Sequence, residues 1–328
     1  MQTLQNLFKT YAQAQKFDRQ PQDLYEPVDY LLGLGGKAMR PVLVLMGCEL
    51  FGGQPSEALP AAFAVELFHN FSLMHDDIMD NSPLRRGKPT VHIKYNPNTA
   101  ILSGDVMLVY AYQYLSQTQT SPEKLAQIWQ IFNRTAIGVC EGQQLDMRFE
   151  TLEAASVAVA DYIEMIRLKT AVLLEGSLQM GAVLAGANAA QIQQIGEFGL
   201  SMGIAFQLRD DYLDTFGQSA EVGKRIGGDI LQNKKTFLAL TALQTTSETQ
   251  RQALLQAFAH RPQSAEAEFQ KIKDITLIFK QLGVDIACEQ MVDFYTQKAL
   301  NALANLGISE EATQPLQDFI QNLMHRSF

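Results

Sequence analysis

The chain has 328 residues, 47% of them apolar and 19% charged, which suffices for a large core and fits an ordinary globular protein. Its formal charge of −9 excludes a general nucleic-acid or membrane-surface binder. Three widely spaced cysteines, Cys48, Cys140 and Cys288, make neither a disulfide framework nor a zinc site and are expected to be buried thiols in a reducing compartment.

Residues 1–17 lack the basic start and apolar run of a secretion signal, so a cytoplasmic location is expected. From there on helical periodicity dominates. Strand signals, meaning alternating β-branched runs closed by Asn-Gly or Asp-Gly turns, are essentially missing. Glycine and proline mark breaks at 33–36, 52–60, 83–89, 217–228 and Pro262. Pro41 suits the first turn of a helix that runs through Leu50. A second helix is predicted from about Ser56 to Asp80, with Ala64, Leu67, Phe68, Phe71 and Met74 toward the core. It ends in Asp76-Asp77-Ile78-Met79-Asp80. The stretch 171–187 is the most apolar, yet Glu175, Ser177 and Gln179 mark it as a buried helix rather than a membrane span. A third helix, roughly Ile192 to Thr215, ends in Asp210-Asp211-Tyr212-Leu213-Asp214. No composition shift, low-complexity tract or solenoid repeat divides the chain, so one all-α domain over 1–328 is expected.

Random placement of the 17 Asp residues would give about 0.05 pentapeptides of the form Asp-Asp-x-x-Asp, and the chain has two. Residues four apart share a helix face, so Asp76 with Asp80, and Asp210 with Asp214, can each present two carboxylates together. Each set closes a helix at its C-terminus, the negative end of the dipole, where further carboxylates are unfavourable unless a cation binds. Hard oxygen ligands of this kind suit Mg²⁺ that also holds phosphate groups. Acidic, solvated helix ends would account for one copy but leave the second unexplained.

Cations stand near these motifs in Gly- or loop-associated positions: Lys37 and Arg40 in Gly35–Pro41, Arg85 and Arg86 in Leu84–Thr90, Lys224 after Gly223, and Lys234 in Asn233–Thr236. A lone surface lysine is usually just solvated. As a set, these residues suit a diphosphate, which arginine binds in bidentate fashion and lysine as a mobile point charge. His69 reads as a satisfied core residue, His75 as a neighbour of Asp76, and Gln143 and Asp146 as polar groups facing either a cavity or solvent.

The chain resembles the all-trans polyprenyl diphosphate synthases, the farnesyl and geranylgeranyl diphosphate synthase family. The resemblance runs from Gly35 to about Lys235. Asp76-Asp77-x-x-Asp80 with Arg85-Arg86-Gly87 resembles the family's first aspartate-rich motif, and Gln207-x-x-Asp210-Asp211-x-x-Asp214 the second. Gly142-Gln143-x-x-Asp146 matches a further signature. The resemblance implies a helical bundle around a central cavity, three Mg²⁺ per site and a homodimer. It implies that Asp76, Asp80 and Asp210 bind Mg²⁺ directly, while Asp77, Asp211 and Asp214 hold metal-bound waters and order the site. Arg85, Lys169, Lys224 and Lys234 would grip an allylic diphosphate (dimethylallyl, geranyl or farnesyl). Lys37, Arg40, His69 and Arg86 would grip isopentenyl diphosphate. Thr170 and Gln207 would line the cavity where the carbocation forms, and the Gly-rich stretch 217–228 would close over it.

Phe71 lies five residues before Asp76, about 7.5 Å deeper along the helix. Ser72 lies four before it, on the same face. By the resemblance, aromatics at both positions suit farnesyl product and small residues at both permit long chains. One of each, with no two-residue insertion in the motif, points to geranylgeranyl diphosphate, with farnesyl diphosphate the alternative. In the other reading Phe71 is core packing and different helices build the pocket floor. A class I terpene cyclase would lack Lys37, Arg40, His69 and Arg86, and a non-catalytic partner subunit would have lost motif carboxylates; neither loss is seen.

Overall fold

Apolar residues recurring at three and four positions wind the chain into helices, as the sequence predicts. The computed structural model describes residues 2–217 and 226–324, and their contacts group them into two compact units. Residues 1–136 and 173–196 belong to the first, and residues 137–172 and 197–328 to the second.

In the first unit lie α1 (Gln2–Ala14), α2 (Gln22–Gly33), α3 (Met39–Leu50), α4 (Leu59–Met79), the short α5 (Val91–Lys94) and α6 (Pro97–Ser116). Helix α7 (Pro122–Thr151) begins there. The expected helix from Ser56 opens instead as a 3-10 turn, Pro55–Ala58, and becomes α-helical at Leu59. Pro60 sets that boundary, since a residue without N–H is tolerated only in the first helical turn. α4 pairs most extensively with α6. It buries Ala64, Leu67, Phe68 and Met74, whereas Phe71 is only half-buried and is not core. Phe63 and Tyr114 meet edge-on at 4.7 Å, and Phe68 and Phe132 at 5.5 Å. Asn96 caps α6 by accepting from the Thr99 N–H at 2.9 Å, with Pro97 in the first turn.

A two-stranded antiparallel ladder, β1 (Leu84–Arg85) with β2 (Lys88–Pro89), was not expected. Its turn residues are Arg86 and Gly87, with φ of 52° and 74°. Both central residues are left-handed, the geometry that a two-residue hairpin needs and that Asn-Gly usually supplies. Here an arginine occupies the position, at a cost of about 1 kcal/mol.

The second unit holds α8 (Val159–Ile166), a π-helical turn (Arg167–Ala171) and the C-terminal part of α10 (Ala189–Phe216). The helices Phe237–Thr245, Glu248–Ala259, Ala265–Gln281, Val284–Ala304 and Glu310–Met324 follow. The buried residues Phe198, Met202, Leu208, Leu240, Ile275, Phe279, Val292 and Ile320 form its core. Thr236, Ser247 and Ser264 cap the helices they precede. α9 (Val172–Ala185), which from Leu173 on belongs to the first unit, is the predicted buried helix, with Ser177 and Gln179 buried. Cys48 and Cys288 are buried thiols as expected, but Cys140 is exposed, because it sits on the outward face of α7. Among the described residues no helix is long and apolar enough to cross a membrane.

Candidate active site

In the first unit, α4 closes on Asp80, which caps the helix and donates its N–H to the Asp76 carbonyl at 2.9 Å. Asp77 turns inward and is 2% exposed. Arg85 grips it through Nε and Nη2, each 2.7 Å from a carboxylate oxygen, and Nη2 lies 4.0 Å from Asp76. The hairpin turn carries Arg86 against Gly36, where a Cβ would stand 2.6 Å from its Nη2. Arg86 thereby lies beside the loop that contains Lys37 and leads into α3. Arg40, at the start of α3, donates from Nη1 to His69 Nε2 at 3.1 Å. Burial, then Arg40, Arg86 and Arg85, hold His69 well below the ordinary histidine value, so its ring is neutral and accepts. Burial draws Arg40 down to about 10, against the pull of Glu66, so it stays a cation at neutral pH. Burial raises the Glu66 carboxyl, and Asn70, donating to its Oε1 at 3.1 Å, is the main opposing influence. Arg40, His69 and Arg86 are thus brought together, with Lys37 exposed in the adjoining loop.

Phe71 packs its ring on Phe68 at 5.7 Å and on His75 at 4.8 Å. Ser72 folds back on its own helix, donating to the His69 carbonyl at 2.8 Å. His75 is committed to α6, where its Nε2 donates to the Ile101 carbonyl at 3.0 Å, rather than to the aspartate motif.

In the second unit, α10 ends on the second motif. Asp210 is exposed, whereas Asp211 is 3% exposed and accepts from the Tyr162 hydroxyl and from Gln207 Nε2. Burial, then Asp229, push its carboxyl well above the usual range. Asp214 accepts the Asp229 N–H at 3.0 Å, and burial followed by Asp229 pushes it up to about 6. The π turn presents Lys169, whose Nζ donates to Asp146 at 2.5 Å, and Thr170, whose hydroxyl lies 3.4 Å from Gln207 Oε1. Gly142 permits this. A Cβ there would run into the Lys169 backbone, with the Cα only 2.6 Å away. Lys234 reaches to 3.4 Å from Asp229. Lys224, and residues 218–225 of the expected flap, lie outside the described residues.

Tyr162, Asp229 and the π turn escaped the sequence reading. The Tyr162–Asp211 contact spans 49 residues, and a π turn leaves no mark in composition. Among the described residues, the non-glycine positions with positive φ are Ala38, Asn81, Arg86 and Asn233. Three of them adjoin Lys37, Asp80 and Lys234, and the fourth is Arg86 itself. Strain of this kind gathers where the backbone must aim functional groups.

Among the described residues no three metal-binding side chains converge into a protein-only cage. The second motif nevertheless gathers carboxyls that compete for charge: burial, then Asp229 and Asp210, raise both Asp211 and Asp214, a repulsion that a bound cation would relieve. Carboxylate oxygens few in number suit an ion, such as Mg²⁺, that fills its remaining positions with water and phosphate.

The polyprenyl synthetase family model matches residues 21–276. The geranylgeranyl diphosphate synthase of Sulfolobus acidocaldarius is 37% identical over 282 residues, 85% of this chain and 83% of that protein. A crystal structure of a geranylgeranyl pyrophosphate synthase superposes with a TM-score of 0.94 at 42% identity, covering 100% of this chain and 99% of the other. The geranylgeranyl pyrophosphate synthase of Corynebacterium glutamicum, solved with isoprenyl diphosphate and magnesium, gives 0.83 at 29% identity, covering 99% and 98%. The chain belongs to the polyprenyl synthetase family and is a prenyltransferase.

Proposed function

We propose that this enzyme condenses isopentenyl diphosphate with an allylic diphosphate and releases geranylgeranyl diphosphate. The observation that carries this reading is a division of labour inside the two aspartate motifs. In each, the second aspartate is buried and tied to protein donors, Asp77 to Arg85 and Asp211 to Tyr162 and Gln207, while Asp80 and Asp210 are exposed. That supports Asp76, Asp80 and Asp210 as the direct Mg²⁺ ligands and Asp77, Asp211 and Asp214 as the residues that order them. When bound, Mg²⁺ (three ions in this reading) neutralises the leaving diphosphate and so lowers the barrier to its departure. Arg85, Lys169, Lys224 and Lys234 hold the allylic diphosphate. Lys37, Arg40, His69 and Arg86 hold isopentenyl diphosphate, the neutral His69 ring keeping Arg40 oriented. Thr170 and Gln207 present oxygens to the allyl cation, the alkene of isopentenyl diphosphate attacks it, and proton loss restores an allylic product. The whole chain acts as one catalytic domain, since the family match draws on both units. A cytoplasmic homodimer belongs to the same reading.

Incubation with Mg²⁺, isopentenyl diphosphate and each allylic primer tests this, with a C20 product expected. A C15 or C25 product alone overturns the chain-length assignment, and no prenyl product with any primer overturns the reading itself. Phe71→Ala should lengthen the product by at least one isoprene unit, because removing a half-buried ring that packs on Phe68 and His75 leaves space. An unchanged product distribution would place the floor on other helices.

A further inference from the structure

Lys271 belongs to the C-terminal stretch, which carries none of the motifs, yet it is one of the few buried charges of the second unit, 7% exposed. It lies on the helix Ala265–Gln281. Its Nζ donates to Asn233 Oδ1 at 2.6 Å and to the Phe258 and His260 carbonyls, each at 2.8 Å. An ammonium has three N–H donors, and all three are satisfied here. The two carbonyls close the helix Glu248–Ala259, where a cation is favoured by the dipole. The third partner lies far off in sequence, in the turn that delivers Lys234.

That turn is held in an unfavourable conformation. Asn233 has φ of 56°, and Lys234 follows it directly. The Lys234 N–H returns to the Asp229 carbonyl at 2.9 Å, and the Asp229 N–H binds Asp214 of the second motif. The neighbour of Lys271, Ile272, packs so closely on Gly227 that a Cβ there would stand 2.7 Å from its side chain. The helix Ala265–Gln281 therefore touches both ends of the segment 227–234.

We infer that Lys271 is a positioning residue for the allylic diphosphate: through Asn233 it fixes the turn that presents Lys234. The inference rests on the reading of Lys234 as a diphosphate ligand. An ammonium bound to three oxygens resists displacement, since removing a partner of a buried charged hydrogen bond is far costlier than losing a neutral one. The phosphate-binding turn thus gains its rigidity from a part of the chain that touches no substrate.

The test measures KM for the allylic substrate and for isopentenyl diphosphate, and inhibition by inorganic pyrophosphate with Mg²⁺, in Lys271→Met, Asn233→Gly and Lys234→Ala. Asn233→Gly tolerates the positive φ and removes only the pin, so it keeps the test decisive where Lys271→Met folds poorly. Both pin variants should weaken the allylic substrate and pyrophosphate about five- to tenfold, with KM for isopentenyl diphosphate within about twofold. Adding Lys234→Ala to Asn233→Gly should cause little further loss, because the two act through one contact. If Lys234→Ala weakens pyrophosphate but Asn233→Gly leaves it unchanged, the positioning role of Lys271 is overturned. If Lys234→Ala itself has no effect, the reading of Lys234 fails. Equal rises in both KM values would mean a general structural role and also overturn the inference.

Discussion

Asp80→Ala and Asp210→Ala should each lower kcat by at least about 10³-fold while leaving the melting temperature unchanged or slightly raised. The two effects have separate causes. A lost metal ligand removes several kcal/mol of stabilisation from the departing diphosphate, and each 1.36 kcal/mol is a factor of ten in rate. Stability moves the other way, because Asp80 caps the C-terminus of α4, where the dipole disfavours it by roughly 0.3–1 kcal/mol, and the exposed Asp210 repels Asp211 and Asp214. Asp77→Ala provides the contrast within one motif. It strips Arg85 of a bidentate partner that is 3% exposed at the side chain, and a broken buried pair costs about 3 kcal/mol when one member keeps some contact with water, as Arg85 does at 22%. Steady-state kinetics over a Mg²⁺ titration, with thermal melts of each variant, checks all three. Near-normal kcat in Asp80→Ala or Asp210→Ala would remove those residues from the metal site.

That contrast also shows what a single sequence can disclose. The spacing of Asp76, Asp80, Asp210 and Asp214 is local, so helical geometry alone placed each pair on one face. The inner aspartates look identical in sequence, and only tertiary partners set them apart. Asp77 meets Arg85 because an Arg-Gly turn folds the chain back within eight residues, and a search for Asn-Gly turns does not find it. Asp211 meets Tyr162 across two helices, and Lys271 meets Asn233 across 38 residues. The same limit applies to Phe71. A helix-period reading assigns it to the core with Phe68 and Met74, but those are about 1% exposed and Phe71 is only half-buried. Periodicity distinguishes the inward face of a helix from the outward one but does not rank how deeply each residue on the inward face is buried. His75 misled for the opposite reason: it adjoins Asp76 in sequence but points to α6.

Two glycines one turn apart on α7 should respond to the same substitution with opposite signs. Gly→Ala inside a helix ordinarily stabilises by roughly 0.5–1 kcal/mol, because alanine loses less backbone entropy on folding. Gly138→Ala should show that gain. Its Cβ would meet the Val172 and Leu168 side chains at 3.4 and 3.5 Å, which is ordinary contact. Gly142→Ala should instead destabilise by about 1–3 kcal/mol, because its Cβ would run into backbone atoms of Lys169, and backbone cannot rotate away. The relief available is a shift of the π turn, which carries Lys169 and Thr170 and is positioned by the Asp146 and Gln207 contacts. A displacement near 1 Å at groups that hold a reacting substrate costs on the order of 10²-fold in rate, so Gly142→Ala should lose kcat as well as stability. Melting curves and kcat for the two variants, measured side by side, decide the matter. Equal stabilisation in both, with unchanged kcat in Gly142→Ala, would mean that α7 and the π turn are not held in contact through that glycine. Destabilisation with full activity would mean that the turn gives way without moving Lys169. Only the joint loss in Gly142→Ala, with Gly138→Ala stabilised and active, matches a glycine kept so that Lys169 can take the diphosphate-binding place proposed for it.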